Sequence, residues 1–196
     1  MIYLVRHGET EFNRERRLQG HVDSALTEKG LAQARAVGER LKALTAAAAG
    51  GWRLLTSPLG RARRTAEIIA ERIGAAEIEV EPRLIELSWG EWDGRLRAEL
   101  AAAHPDTFGR TNWAFHAPTG ETYEQMCARL SAWLGELPPE PERRVIAVSH
   151  GVTGRVLRGL YARLPTEETI TQDVPQDAVF RLAGGAIARI DCQVAA

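Results

Sequence analysis

Ile2-Tyr3-Leu4-Val5-Arg6-His7-Gly8-Glu9-Thr10 opens apolar and breaks, with no spacer, into an arginine, a histidine and a glycine. The apolar run reads as a buried strand. The three residues after it read as chemistry: Arg6 carries a planar, permanently charged fork suited to phosphate or carboxylate, His7 is a nucleophile or base, and Gly8 lets a ligand approach the backbone. The plainer alternative is a strand ending in ordinary polar residues, so the rest of the chain must decide. Far downstream the pattern recurs, because Val145-Ile146-Ala147-Val148 is a continuous apolar strand that runs into Ser149-His150-Gly151.

At 196 residues the chain fits a single domain, 1–196, with a sizeable core. Its hydrophobic share of 44% and charged share of 26% are those of a soluble globular protein, and no apolar run approaches membrane-spanning length. A net charge of -1 excludes a general attraction to nucleic acid or anionic lipid and points to a small ligand. The opening reads as strand rather than as a charged region followed by a cleavable apolar segment, so the cytoplasm is the expected compartment. Cys127 and Cys192 form no C-x-x-C pair and are expected to be reduced, Cys127 as a core residue.

Between the two histidine-terminated strands the signals alternate. Glu11 to Ala25 reads as a polar loop, and Thr27 as the N-cap of a helix with an apolar stripe at Leu31, Ala34, Val37, Gly38, Leu41 and Leu44, ending in or before Ala46 to Gly51. Trp52 to Thr56 reads as a strand. Ser57-Pro58 then reads as an N-cap with proline in the first helical position, opening a helix that Gly74 stops. Ile78 to Val80 is a short strand, Pro82 to Gly94 an ordered loop with Glu86, Trp89 and Trp92, and Arg95 to Ala103 a short helix. His104 to Pro118 reads as irregular. A helix from about Glu121 to Glu136 buries Tyr123, Met126, Cys127, Leu130, Leu134 and Leu137, and Ala178 to Asp191 reads as a hairpin about Gly184-Gly185.

Strands alternating with helices predict a three-layer α/β sandwich, with a mostly parallel central sheet of about six strands and an antiparallel edge supplied by the hairpin. In such folds ligands bind outside the carboxyl ends of the strands, where His7 and His150 both sit.

Four blocks in order carry a specific resemblance: Arg6-His7-Gly8-Glu9-Thr10 with Asn13; Ser57-Pro58-Leu59-Gly60-Arg61-Ala62 with Thr65-Ala66; Glu86-Leu87 with Trp92-Asp93-Gly94; and Ser149-His150-Gly151. Together they resemble the histidine phosphatase superfamily, in its phosphoglycerate mutase-like branch. The resemblance implies that His7 becomes phosphohistidine, with its other ring nitrogen donating to a backbone carbonyl. It assigns Arg6 and Arg61 to a phosphate clamp and His150 to the equatorial oxygens of the transferred group. Glu86 is matched to the residue that protonates the leaving oxygen and then activates water, although Glu91 and Asp93 share its loop. Asn13, Gln19 and Gly20 are matched to phosphate or substrate binding, and Gly120-Glu121-Thr122 to a pocket-facing turn.

Neither metal nor other cofactor is implied, because arginines do the charge neutralisation and the five histidines show no ligand spacing. The expected partner is a small-molecule phosphate ester, acted on by a monomer or homodimer. In the mutases of this family the segment equivalent to Gly94–Gly120 is longer and carries further basic residues; here it holds only Arg95, Arg97 and Arg110, which favours a phosphatase. Leu96, Leu100, Trp113, Phe115 and Trp89 are candidates for an apolar leaving-group wall, with Arg95 or Arg110 for a substrate carboxylate. The alternatives are a mutase and a phospho-ligand sensor without turnover.

Overall fold

The structure is a computed structural model that describes residues 1–46, 51–75 and 77–194. Its strands and helices run, in order, β1 (Ile2–Arg6), α1 (Glu11–Arg14), α2 (Glu28–Thr45), β2 (Arg53–Thr56), α3 (Gly60–Ile73), β3 (Glu79–Val80), α4 (Arg97–Ala103), α5 (Pro105–Phe108), α6 (Tyr123–Glu136), β4 (Val145–Ser149), α7 (Gly151–Ala162), α8 (Thr166–Thr171), β5 (Ala178–Ala183) and β6 (Ala186–Asp191). The strands form one sheet in the order β3-β2-β4-β1-β5-β6. From β3 to β1 the pairings are parallel, whereas β5 and β6 are antiparallel additions. This is the α/β architecture the alternation of elements predicts.

Side-chain alternation along β1 builds the three layers. Ile2 and Leu4 join a core with Met126, Leu130, Trp133, Val156 and Leu157 of α6 and α7. Tyr3 and Val5 join the opposite core with Val37 and Leu41 of α2 and Ala62, Ala66 and Ile69 of α3. Because β1 and β4 are covered on both faces, their sequences read as unbroken apolar runs. Thr27 caps α2, its Oγ1 accepting from Gly30 N at 3.0 Å. Gly74 closes α3 at φ 70, and Gly184 and Gly185 turn the hairpin at φ 57 and 75. Residues 47–50, where the break after α2 was expected, lie outside the described residues.

Several local expectations are corrected. The helix after β2 begins at Gly60 with Leu59 as its cap. Ser57 is held instead by the sheet, its N donating to Val148 O at 3.0 Å, and by His150, whose Nε2 meets its hydroxyl at 2.7 Å. Glu11 to Arg14 forms one helical turn because Thr10 and Asn13 make a reciprocal capping box. Helix α4 starts at Arg97 because Arg95 O accepts from Leu18 N and Leu96 bridges to Arg17. The aromatic stretch after it contains α5 and a 3₁₀ turn at Trp113–Phe115, and α8 has no counterpart in the sequence reading. In α6, Tyr123 and Cys127 are only half-buried, and Trp133 is buried beside Met126 and Leu130.

Candidate active site

The parallel pairing sets Arg6 opposite Ser149, so the next residues along, His7 and His150, leave the sheet side by side. Their rings are 5.1 Å apart and tilted by 60°. Both are buried, at 3% and 1% exposure, which makes protonation of either ring costly.

Geometry settles the His7 tautomer. Its Nδ1 lies 2.8 Å from Gly8 O, and a carbonyl can only accept, so Nδ1 carries the proton and Nε2 keeps its lone pair. Arg61 Nε donates to that Nε2 at 3.3 Å, a long contact that an incoming electrophile can displace. Burial first, then the charges of Arg61 and Arg6, push the His7 imidazolium well below the ordinary 6.5. His150 is pushed the same way by burial, then Arg61 and His7. With Nε2 against Ser57 Oγ, His150 keeps Nδ1 buried with no protein partner.

The two arginines are aimed differently. Arg61, in the first turn of α3 and 2% exposed, donates to Gly20 O at 2.7 Å, to Val22 O at 2.9 Å and to Asp23 Oδ1 at 3.2 Å. Arg6 donates from one terminal nitrogen to Val174 O at 2.5 Å and keeps a buried Nε unpartnered. Burial lowers Arg6 to about 10, with Glu86 opposing the drop. Gly151 leaves room over this guanidinium: a Cβ there would sit 3.6 Å from Arg6 Nε.

Glu86 is held by the start of α7. Oε1 accepts from Leu87 N, Thr153 N and Thr153 Oγ1, whereas Oε2 accepts only from Val152 N at 3.2 Å, leaving it the oxygen with capacity to spare. Its carbonyl accepts from His21 Nε2 at 2.9 Å. The two other acids of this loop face elsewhere. Asp93 is spent on Trp89 N and His21 N, and Glu91 is exposed.

Arg6, His7, Asn13, Gln19, Gly20, Arg61 and Glu86 all border one cavity of about 330 Å³. His150 lies one step inward, in a recess of about 10 Å³ that also touches Arg6 and Gly151. Gln19 is buried and internally satisfied, Nε2 donating to Thr10 Oγ1 at 2.7 Å while Oε1 accepts from Ser24. Gly20 sits at φ 52 and presents its carbonyl to Arg61. Asn13 Oδ1 accepts from Thr10 N and Gln176 Nε2, so the end it can offer a ligand is its NH₂.

The outer wall differs from expectation. Trp89, Trp113 and Phe115 reach the cavity, but Leu96 and Leu100 do not, and Leu100 is core. Arg95 faces Glu99 and Arg110 is exposed; the cations that border the cavity besides Arg6 and Arg61 are Arg17, Arg97 and Arg155. Thr122 caps α6 and Glu121 pairs with Arg129, so that turn serves the helix. Among the described residues no group of three His, Cys, Asp or Glu is placed to hold a metal ion. Sequence reasoning passed over Thr153 and Gln176 and placed Ser57 and Thr65 only as motif and helix residues; each of the four holds a site residue or the loop beside it. Thr65 and Thr153 carried a signal, being polar positions on otherwise apolar helix faces.

A buried neutral imidazole with a free lone pair, two guanidiniums, a second imidazole and a carboxylate form a site for an anionic electrophile. Comparison with known proteins agrees. The family model described as histidine phosphatase superfamily (branch 1) matches residues 2–183. The probable phosphoglycerate mutase GpmB of Erwinia tasmaniensis is 38% identical, the match covering 98% of this chain and 85% of that protein. Among solved structures, the mycobacterial glucosyl-3-phosphoglycerate phosphatase complexed with VO3 is 27% identical at a TM-score of 0.78, covering 97% of this chain and 96% of that one. YhfR of Bacillus stearothermophilus is 30% identical at a TM-score of 0.76, covering 97% and 95%.

Proposed function

The chain belongs to the histidine phosphatase superfamily, branch 1, and from that premise we propose that it is a cytoplasmic, metal-independent phosphomonoesterase acting on a small phosphorylated metabolite through phosphohistidine at His7. The observation that carries the reading is the His7 ring: Nδ1 donates to Gly8 O at 2.8 Å, and the free Nε2 is turned to the buried guanidinium of Arg61. A nucleophile with that tautomer needs no separate base.

In the first step His7 Nε2 attacks phosphorus in line, the N–P bond forms and the ester P–O bond breaks. The leaving oxygen takes a proton from Glu86, and the Nδ1 proton stays on His7, hydrogen-bonded to Gly8 O. Arg6 Nε and His150 Nδ1, both buried without protein partners, are the donors left for the transferred oxygens, and Arg61 supplies the charge beside the attacking nitrogen. In the second step water gives a proton to Glu86 while its oxygen bonds to phosphorus, the N–P bond breaks, and inorganic phosphate leaves.

The wall favours hydrolysis over internal transfer, since of the segment between Gly94 and Gly120 only Arg97 brings a cation to the cavity. Arg17, Arg97 and Arg155 nonetheless outnumber Glu86, the one acid on the cavity wall among the described residues, which suits a leaving group bearing a further anion. A mutase is the second reading, favoured by the name of the 38% identical relative. Both are tested by a panel of phosphorylated metabolites scored for free phosphate and for phosphoryl migration, with an aryl phosphate as the generic substrate and His7→Ala as the control. Phosphate release lost in His7→Ala supports the phosphatase; migration without net release supports the mutase. If both proteins are inert yet bind phosphate, the chain is a sensor.

A further inference from the structure

The segment between α8 and β5 is tied to the site by a row of backbone acceptors. Gln172 O accepts from Arg155 Nε, Asp173 O from Arg158 and Val174 O from Arg6. The same segment then sends one side chain back. Gln176 Nε2 donates to His7 O at 3.2 Å and to Asn13 Oδ1 at 2.9 Å. The position follows from the sheet: Val179 pairs with Val5 in the antiparallel β1–β5 register, so the residues just before β5 run beside the end of β1.

Two backbone groups fix the direction of every bond in this chain. His7 O can only accept, so the end of Gln176 that faces it is NH₂. Thr10 N can only donate, at 3.2 Å, so the end of Asn13 that faces it is the oxygen. Gln176 donates to that same oxygen. Asn13 is thereby held with its NH₂ at the opposite end, and Asn13 borders the cavity.

We infer that Gln176 is a positioning residue for the reaction, resting on the phosphohistidine reading: anchored on the carbonyl of the nucleophile's own residue, it holds the Asn13 amide with NH₂ toward the phosphoryl group. It touches neither substrate nor the reacting atoms. A side chain of this kind sets geometry, and small misplacements at a reacting centre cost up to about a hundredfold in rate.

The test is a cycle of wild type, Gln176→Leu, Asn13→Ala and the double variant, read by kcat/KM on an aryl phosphate and by binding of inorganic phosphate, with thermal unfolding as the fold control. Gln176→Leu is expected to lose about ten- to a hundredfold in kcat/KM. The double variant should lose no more than Asn13→Ala alone, because the glutamine acts through the asparagine. Gln176→Glu adds a readout that mere packing would not move: its carboxyl donates only when protonated, so activity relative to wild type recovers as pH falls. Losses that multiply in the double variant, or an unchanged Gln176→Leu, overturn the inference. If wild type releases no phosphate, the hydrolytic reading fails, and the same cycle in phosphate affinity decides the positioning role by the same criterion.

Discussion

His7 and His150 are buried neutral, and this makes stability fall with acidity in a way that can be worked out. Their folded values are pushed well below 6.5, by burial first in each case. Below 6.5 the unfolded chain therefore binds protons that the folded chain refuses. Stability is full above about pH 6.5 and declines as pH drops from there toward the depressed folded value. At about pH 5.5, one unit below the ordinary value, each histidine contributes on the order of 1 kcal/mol to this loss, and the pair about 2–3 kcal/mol. Urea unfolding of wild type and His150→Gln at about pH 7.5 and about pH 5.5 isolates one share, since carboxylates common to both proteins cancel. The expected difference between their pH increments is on the order of 1 kcal/mol, with the variant less acid-sensitive. Equal increments would mean that His150 protonates freely in the folded state, and the account of a dry, cation-walled pocket would fail.

Other substitutions probe separate parts of the site. Arg61→Lys cannot span Gly20 O, Val22 O, Asp23 and the His7 ring with one nitrogen, so steady-state kinetics should show kcat reduced by about a hundred- to a thousandfold. Gly74→Ala meets nothing within 4 Å and bears only the left-handed backbone cost, about 1–2 kcal/mol. Gly20→Ala should cost more and impair turnover, because its Cβ would lie 1.7 Å from Asp93 Oδ1; paired melting and activity curves separate the two. Trp133→Ala, 1% exposed between α6 and the sheet, should cost about 3–5 kcal/mol in denaturant titration without changing the pH profile of the remaining activity. Turnover should survive a chelator; full loss restored by zinc or magnesium would refute the metal-free chemistry.

How much of the fold and site is legible in the sequence depends on where each signal lives. Ile2 to Val5 and Val145 to Val148 announce buried strands because both faces of each are covered, and the residues that end them announce the site. Thr27, Gly74 and Gly184-Gly185 are read correctly because caps and turns are decided within a few residues. Ser57-Pro58 misled for a long-range reason. A serine before proline is a good local cap, but Ser57 is claimed by Val148 and by His150, almost a hundred positions away. Arg97 and Arg155 were invisible as wall residues because an arginine on a short helix looks the same whether it faces solvent or a cavity. A backbone carbonyl was expected at His7 Nδ1 and is there, but that it is Gly8 O is something no side-chain pattern encodes. Gln176 was silent because its meaning lies in the β1–β5 register, and pairing is not written in composition.

The site is also an electrostatic liability until an anion enters it. Arg6 is part-buried with its Nε sealed in and unpartnered, Arg61 and His150 are buried nearby, and Glu86 borders the cavity with the two arginines. An uncompensated buried cation costs several kcal/mol, so without an anion the site subtracts from stability and a bound oxyanion restores it. Phosphate at about a hundred times its dissociation constant should add about 2.7 kcal/mol, which for a chain of this size raises Tm by about 5–11 °C. Arg6→Met removes the liability and the donor together, so its Tm without phosphate should fall little while most of the phosphate increment disappears. Scanning calorimetry of both proteins with and without inorganic phosphate checks this. An equal phosphate shift in the variant would mean that the anion is held elsewhere, and the assignment of Arg6 to the clamp would be lost.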